Sequence, residues 1–287
     1  MTDAALNAAY AAATEHVRML DPDRYLATLF APGASQPHLF ALYAFSADVA
    51  RVRSLVREAL PGEIRYQWWR EVLSGERSGE AVESPIARAL LDTVNRFSLP
   101  KKPLLDLIEA RTFDLYDDPM PTWLDLEGYC GETSSVLIRL AGLILAGGKE
   151  PGGADAAGHA GVAYALTGLL RAFPWHARRG QVYVPVEVLS RHGVDPGAIR
   201  AGQDSPGLRA ALAEVANRAR HHLDETRRHV VTISPTHAPA LLPVALVRPY
   251  LDALAKSRQS PYEATAEISK LRKLWTFWRQ GRRAGCC

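Results

Sequence analysis

Apolar residues recur at spacings of three and four along nearly the whole chain, while period-2 alternation of β-branched residues is almost absent. This pattern predicts an all-α protein. The strand-like stretch 181–185 is confined to an edge or a turn by Pro185. The helices are predicted at 2–20, 36–56, 63–73, 84–97, 101–116, 121–146, 155–172, 206–230, 237–256 and 262–279.

Two stretches rich in Gly, Pro and Asp, at 147–155 and 195–206, interrupt the helices. With 287 residues the chain has the length of about two average domains. Helical patterns of the same style flank both stretches, so they are interpreted as loops. We therefore expect one all-α domain over 1–287, with a basic amphipathic C-terminal tail at about 262–287.

The composition is that of an ordinary globular chain, with 47% hydrophobic and 23% charged residues. A net charge of only +3 argues against bulk nucleic-acid binding. The three cysteines have no zinc-like spacing, and the N-terminus does not resemble a signal peptide. The most apolar stretch, 136–148, is shorter than the about 20 residues that span a bilayer. We expect a cytoplasmic protein that is soluble or peripheral rather than integral to a membrane.

An acidic pair, Asp114 and Asp118, has the DxxxD spacing that places two carboxylates on one helix face. Carboxylates at this spacing would suit a hard cation such as magnesium. However, Asp118 precedes Pro119, which disfavours helical backbone at that position. The alternative is a turn, with Asp114 on a solvated face, and we favour this alternative.

A basic and aromatic run covers residues 171–183. Arg171 is predicted to end a helix before Pro174, and the arginines and the histidine that follow fall in a loop. Such a loop would bind a phosphate or an acidic partner. The alternative is that the arginines cap helix ends and pair with nearby carboxylates.

Two other segments have an aromatic pattern. In the pair Trp68 and Trp69, we expect Trp68 to pack in the core with Ile64 and Val72.

From residue 268 to the end there are six basic and no acidic residues, and an apolar face repeats at spacings of three and four. This tail would rest on an anionic membrane surface or a partner. The slightly favoured alternative is a last helix packed on the body.

Three motifs carry a resemblance to a known family: FALYAF at 40–45, RYQWWR at 65–70 and RRGQVYVP at 178–185. With these motifs the chain resembles the squalene/phytoene synthase family over about residues 15–255. The resemblance implies an isoprenoid-synthase fold, in which helices surround a deep central cavity. Enzymes of the family join two prenyl diphosphates head to head, and two aspartate-rich motifs hold magnesium and diphosphate.

Both aspartate-rich motifs are degraded in this chain. Where the first is expected the sequence is ARVRS at 50–54, with only Asp48 nearby, and where the second is expected it is RAFPWH at 171–176. Ionising a diphosphate needs cations to neutralise the leaving group. We therefore expect no cofactor and no catalytic residue, with magnesium required only if the protein is an enzyme.

Arginines would offset phosphate charge directly, so a metal-free diphosphate or anion site remains open. The candidate ligand-binding residues are Arg171, His176, Arg178, Arg179, Tyr183 and Arg51. The remaining metal candidates are Asp48, Asp114 and Asp118.

The combination LLRAFPWHARRGQVYVP at 169–185 is similar to a degenerate branch of the family, the phytoene-synthase-like assembly factors of respiratory complex I. This similarity implies a non-catalytic protein that binds a complex I subunit or assembly partner at the inner-membrane surface. Two alternatives remain. One is a prenyltransferase of the squalene/phytoene type, and the other is a carrier that holds an isoprenoid or lipid in the central cavity that the family fold implies.

Overall fold

A computed structural model describes residues 3–77, 79, 83–229, 235–257, 259–263 and 266–284. All regular elements in these ranges are helical, so the prediction of an all-α protein is confirmed. The first half contains α1 (Asp3–Leu20), α2 (Pro22–Thr28), α3 (Gln36–Ala50), α4 (Val52–Leu55), α5 (Ala59–Ser74), α6 (Pro85–Arg96), α7 (Lys102–Thr112) and a 3₁₀ turn (Phe113–Leu115).

The second half begins with a helix that is continuous with a π-helical turn. It contains α8 (Trp123–Cys130), the π turn (Gly131–Ser135), α9 (Val136–Leu145), α10 (Ala154–Arg171), α11 (Phe173–Arg178), α12 (Val186–Arg191), α13 (Pro196–Arg200), α14 (Pro206–His229), a 3₁₀ segment (Pro235–Leu246), α15 (Val247–Lys256) and α16 (Lys270–Ala284).

Helix α3 lies at the centre of the bundle. Its residues from His38 to Ser46 are all buried, which is the pattern of a helix enclosed on every side. It packs against α1 and α6, and its buried residues belong to a hydrophobic core that extends from α1 to α15. The end of α3 is thereby held at the wall of a cavity.

Close packing also fixes the π turn against α10. A Cβ atom placed on Gly161 would lie 2.2 Å from the Cα atom of Ser135, so only glycine permits this approach. The hydroxyl of Ser135 donates a hydrogen bond to the carbonyl of Gly158 at 2.7 Å. These contacts hold Thr133 and Ser134, the two residues before Ser135, at the same cavity.

Several predicted boundaries differ from the structure. The long helix predicted at 36–56 ends at Ala50, and α4 follows as a separate short helix. The helix predicted at 121–146 contains the π turn, and the one predicted at 237–256 begins as a 3₁₀ segment with Pro239 and Pro243 inside it. Proline removes a backbone donor and disfavours the α-helical bond pattern.

The stretch 181–185 forms no strand, although it is held by backbone hydrogen bonds. The amide of Met120 donates to the carbonyl of Val182 at 2.9 Å, and the amide of Val186 donates to the carbonyl of Met120 at 2.8 Å. These two hydrogen bonds hold the segment against the loop between the 3₁₀ turn and α8. Tyr183, in the middle of the segment, is buried.

The prediction for the tryptophan pair was right about Val72, which is fully buried, and wrong about which indole lies in the core. Trp69 is the buried indole and Trp68 is only partly buried, while Ile64 is 62% exposed. The inward face of α5 instead contains Tyr66, Trp69 and Leu73 at spacings of three and four. Spacing alone did not distinguish the two candidate faces of α5, because Trp68 and Trp69 are adjacent in the sequence.

The C-terminal helix packs on the body, as the favoured alternative for the tail predicted. It begins at Lys270 rather than at 262, and Phe277 is fully buried beside α2 and the 3₁₀ segment. One segment, 237–256, has the length and the mean hydropathy of 1.2 that would suit a membrane span. Half of that segment is buried in the fold, as in a core helix of a globular domain.

Candidate functional site

A cavity of about 240 Å³ opens between the ends of α3, α7, α8 and α10 and the loop after α11. Its walls combine basic, aromatic and hydroxyl side chains. The lining includes Arg24, Arg53, Arg111, Asp114, Tyr129, Thr133, Ser134, Tyr164, Trp175, His176, Arg179, Gln181 and Tyr183.

The cavity is basic, because four arginines line it beside a single carboxylate. Arg24 pairs with Asp21 at 2.8 Å, and Arg53 reaches Asp117 at 3.3 Å. Asp117 is mostly exposed, so solvent screens this second pair. The cavity therefore presents excess positive charge to anything that enters it.

The carboxylate of Asp114 is held by three neighbouring side chains. One oxygen accepts hydrogen bonds from the hydroxyls of Tyr129 at 2.8 Å and Tyr183 at 2.7 Å. The other oxygen accepts from Arg111 at 3.0 Å. Burial raises the pKa of both tyrosines well above the usual value, so both hydroxyls remain donors at neutral pH.

Four buried polar atoms of the lining residues have no hydrogen-bond partner among the described residues: Arg53 Nε, Arg111 Nε, Ser134 Oγ and His176 Nδ1. A buried donor without a partner costs about 1–3 kcal/mol. Their concentration around one basic cavity indicates a site that supplies hydrogen bonds to an acceptor-rich anion.

His176 adds a titratable group to the wall. Burial lowers the pKa of this imidazole to about 4, an effect that nearby Asp114 partly offsets. The ring therefore stays neutral at pH 7, and its centroid lies 4.6 Å from that of Tyr183. At neutral pH, protonation of His176 would require an additional negative charge in the cavity.

Of the six candidate ligand-binding residues, His176, Arg179 and Tyr183 line the cavity. Arg178 is exposed, and Arg51, which pairs with Asp48 at 3.2 Å, also lies outside the lining.

Arg171 belongs to a different site. Its guanidinium lies 3.2 Å from the buried carboxylate of Asp23 and 3.6 Å from the ring centroid of Tyr250. It serves the packing of the C-terminal helix, because Lys273 of that helix bonds the same carboxylate at 2.6 Å.

The predicted metal candidates do not come together. Asp48 accepts from the indole of Trp69 at 3.1 Å and lies outside the cavity lining, while Asp118 is exposed. The expectation that Asp114 would lie on a solvated face was wrong, because its three hydrogen bonds hold it inside the protein. The other part of that interpretation, a turn before Pro119, agrees with the end of regular structure after Leu115.

This donor set does not fit a magnesium cluster. Magnesium requires several oxygen ligands in near-octahedral geometry. Among the described residues, no group of three or more His, Cys, Asp or Glu side chains is arranged to hold a metal ion. Asp114 is the one carboxylate among the lining residues, and both of its oxygens already accept hydrogen bonds from neighbouring side chains.

Two further spaces share Leu170 and Phe173 as lining residues. A void of about 20 Å³, which Leu169 and Tyr183 also line, lies next to the basic cavity. A separate apolar cavity of about 280 Å³ is lined by Leu212 and Leu254 as well. Phe173 is buried there and packs against Tyr262. The basic cavity is smaller than the about 300–1,000 Å³ of typical sites for drug-sized ligands. The space suits a small anionic group better than two long prenyl chains.

Sequence reasoning missed Arg24, Arg53, Arg111 and Tyr129 as lining residues. Arg53 follows Arg51 in the stretch that stands in place of the first acidic motif, so its position gave one usable indication. The other three come from helices distant in sequence, and only the packing of α2, α7 and α8 brings them to the cavity.

The helices and the cavity between them define a protein of the isoprenoid-synthase fold class. A dehydrosqualene synthase crystal structure superimposes with a TM-score of 0.83 at 19% identity, covering 98% of each chain. A squalene synthase from Alicyclobacillus acidocaldarius gives a TM-score of 0.72 at 22% identity, covering 99% of this chain and 97% of that one. These two similarities show the fold.

The chain belongs to the squalene/phytoene synthase family, whose model matches residues 17–279. Complex I assembly factor 6 of Bos taurus is 32% identical, over 83% of this chain and 71% of that protein. A 15-cis-phytoene synthase from Synechocystis is 24% identical, over 87% of this chain and 77% of the enzyme.

Proposed function

We propose that this protein acts by binding, without prenyl-transfer chemistry, and that it takes part in the assembly of respiratory complex I. The observation that carries the proposal is the composition of the cavity. Where a family enzyme would gather carboxylates around metal ions, this chain gathers four arginines and one occupied aspartate.

The similarity to complex I assembly factor 6 from Bos taurus and Homo sapiens supports the assembly role. These proteins are 32% and 30% identical to this chain over 83% and 84% of its length. We propose a complex I subunit or another assembly protein as partner, and a cytoplasmic location at the inner-membrane surface. The basic cavity would hold a small phosphate-like anion, with its unpartnered donors from Arg53 and Arg111 as ligands.

A gene deletion tests the assembly role. Membranes from the deletion strain are expected to lose most NADH:quinone oxidoreductase activity and to retain succinate oxidation. A plasmid copy of the wild-type gene is expected to restore the activity. Unchanged NADH oxidation in the deletion strain would refute the assembly role.

The second candidate is a prenyltransferase that condenses two prenyl diphosphates head to head. The similarity to a phytoene synthase favours it, at 29% identity over 66% of this chain. This candidate requires cation ligands that the described cavity does not offer, and it requires room for two prenyl chains, whereas the basic cavity measures only about 240 Å³. The volume of the basic cavity also argues against a carrier that holds a long isoprenoid there.

A further inference from the structure

A second, larger cavity lies at the C-terminal end of the described chain. It is a groove of about 460 Å³ between the end of α14, the 3₁₀ segment, α15 and α16. Its lining is largely apolar, and it includes Leu223, Leu241, Ala245 and Trp275. Four basic residues also line it: Arg227, Arg248, Arg272 and Arg279.

Most of this positive charge is not neutralised by the residues that the structure describes. Arg227 pairs with Asp224 at 2.9 Å. For Arg248, Arg272 and Arg279, no carboxylate oxygen of the described residues lies within 4.0 Å. The groove therefore combines an apolar lining with three arginines that are free to bind an anion.

The outer face of α16 continues this surface. It exposes two leucines and two tryptophans at spacings of three and four, which place them in one stripe. Arg279 lies 5.2 Å from the ring centroid of Trp275, and Arg282 lies 5.1 Å from that of Trp278. The exposed apolar residues are Leu271 at 79%, Leu274 at 36%, Trp275 at 55% and Trp278 at 46%.

The inner face of the same helix is firmly docked. Phe277 is fully buried, and the ammonium of Lys273 bonds the buried Asp23 at 2.6 Å. The outer stripe is therefore presented by a helix that is already ordered. Binding through it would not incur the entropy loss of folding a free tail.

We propose that the outer stripe of α16 and the adjoining groove form a docking surface for an anionic lipid bilayer. The indoles and leucines would enter the boundary between head groups and acyl chains, where tryptophan is enriched in membrane proteins. Arg248, Arg272 and Arg279 would contact lipid phosphates. A bilayer supplies dense negative charge directly above hydrocarbon, so one partner satisfies both parts of the surface.

Sedimentation of the full-length protein with vesicles tests this surface. We expect binding to phosphatidylcholine vesicles that contain about a third phosphatidylglycerol, and much weaker binding to pure phosphatidylcholine. Each basic residue near an anionic surface contributes about fivefold to affinity, so Arg272→Gln with Arg279→Gln should weaken binding about 30-fold. Trp275→Ala with Trp278→Ala should weaken it about tenfold or more.

Two matched controls lie on α5 and in the segment just before it, outside both α16 and the groove. Arg57→Gln with Arg65→Gln removes the same charge from exposed positions, and Leu60→Ala with Ile64→Ala removes exposed apolar groups. Both controls should bind as the wild-type protein does. Unchanged thermal unfolding would show that all four double variants are folded, since none alters Lys273 or Phe277.

Failure of the wild-type protein to sediment with the anionic vesicles would overturn the proposal. Equal losses in the α16 variants and in the controls would also overturn it, because they would indicate attraction by net charge alone. Binding to polyglutamate but not to vesicles would assign the surface to an acidic polypeptide and would contradict a lipid partner.

Discussion

Two buried aspartates in this protein have similar ligands and different surroundings. Asp114 accepts from two tyrosines and Arg111 at the wall of the open cavity. Asp23 accepts from Tyr250 at 2.7 Å, from Lys273 at 2.6 Å and from Arg171 at 3.2 Å, at the junction with the C-terminal helix.

The two sites differ in the roles of the cationic side chains around each aspartate. Around Asp23 both cations are used for packing, and the site joins α2, α10, α15 and α16. Around Asp114 further arginines, including Arg53 and Arg179, face the cavity. A similar set of ligands thus fixes a helix around Asp23, whereas around Asp114 it borders the proposed anion site.

The largest effect is expected for Asp23→Asn. It leaves the ammonium of Lys273 buried without a negative partner, which typically costs about 3–5 kcal/mol. Urea unfolding followed by circular dichroism would measure the loss of unfolding free energy.

The double variant Asp23→Asn with Lys273→Met provides the control for this loss, because it removes both charges together. It should be more stable than Asp23→Asn alone. Simple additivity of the two single effects would show that the pair is not coupled and would contradict the role assigned to Asp23.

A smaller loss, about 2 kcal/mol, is expected for Asp114→Asn, because Arg111 borders a cavity that admits water. Removing this carboxylate also makes the cavity more positive. Pyrophosphate should therefore stabilise Asp114→Asn more than the wild-type protein, while it should stabilise Asp23→Asn only as much as the wild type. Equal stabilisation of all three proteins would remove the distinction between the two sites.

Acid should destabilise the protein through His176. The unfolded imidazole has a pKa of about 6.5, and burial lowers the folded pKa to about 4. Between these values the unfolded state binds more protons, so stability is complete above pH 6.5 and falls as the pH drops toward 4.

For this single group the loss between pH 7.5 and 5 is about 2 kcal/mol. His176→Gln should lose less stability than the wild-type protein over the same range, as measured by urea unfolding at both pH values. Parallel losses in the two proteins would show that His176 is not buried as described.

The smallest of these effects concerns anion affinity. Arg179→Gln should weaken pyrophosphate binding about tenfold, because a charged donor at the cavity wall is lost. Arg178→Gln is the matched control, since the neighbouring arginine is exposed and outside the lining. Isothermal titration calorimetry would compare them, and an equal loss in both would refute the assignment of Arg179 to the site.

Much of the fold could be predicted from the sequence, and less of the site. Helical periodicity depends on local spacing, so α1, α10 and α14 were located within a few residues. The break after Ala50 and the π turn depend on tertiary contacts such as Gly161 against Ser135, which leave no local pattern. Arg24 and Arg111 were missed for the same reason. Arg171 follows the alternative in which it pairs with a nearby carboxylate, and the burial of Asp23, which decides between the two alternatives, leaves no local pattern.

The central claim is that this cavity binds an anion without metal-dependent prenyl transfer. Purified protein incubated with geranylgeranyl diphosphate, with and without magnesium, tests it directly when released diphosphate is measured against an active phytoene synthase. The account predicts no release above the protein-free background in either condition. Magnesium-dependent release, abolished by Asp114→Asn, would contradict it.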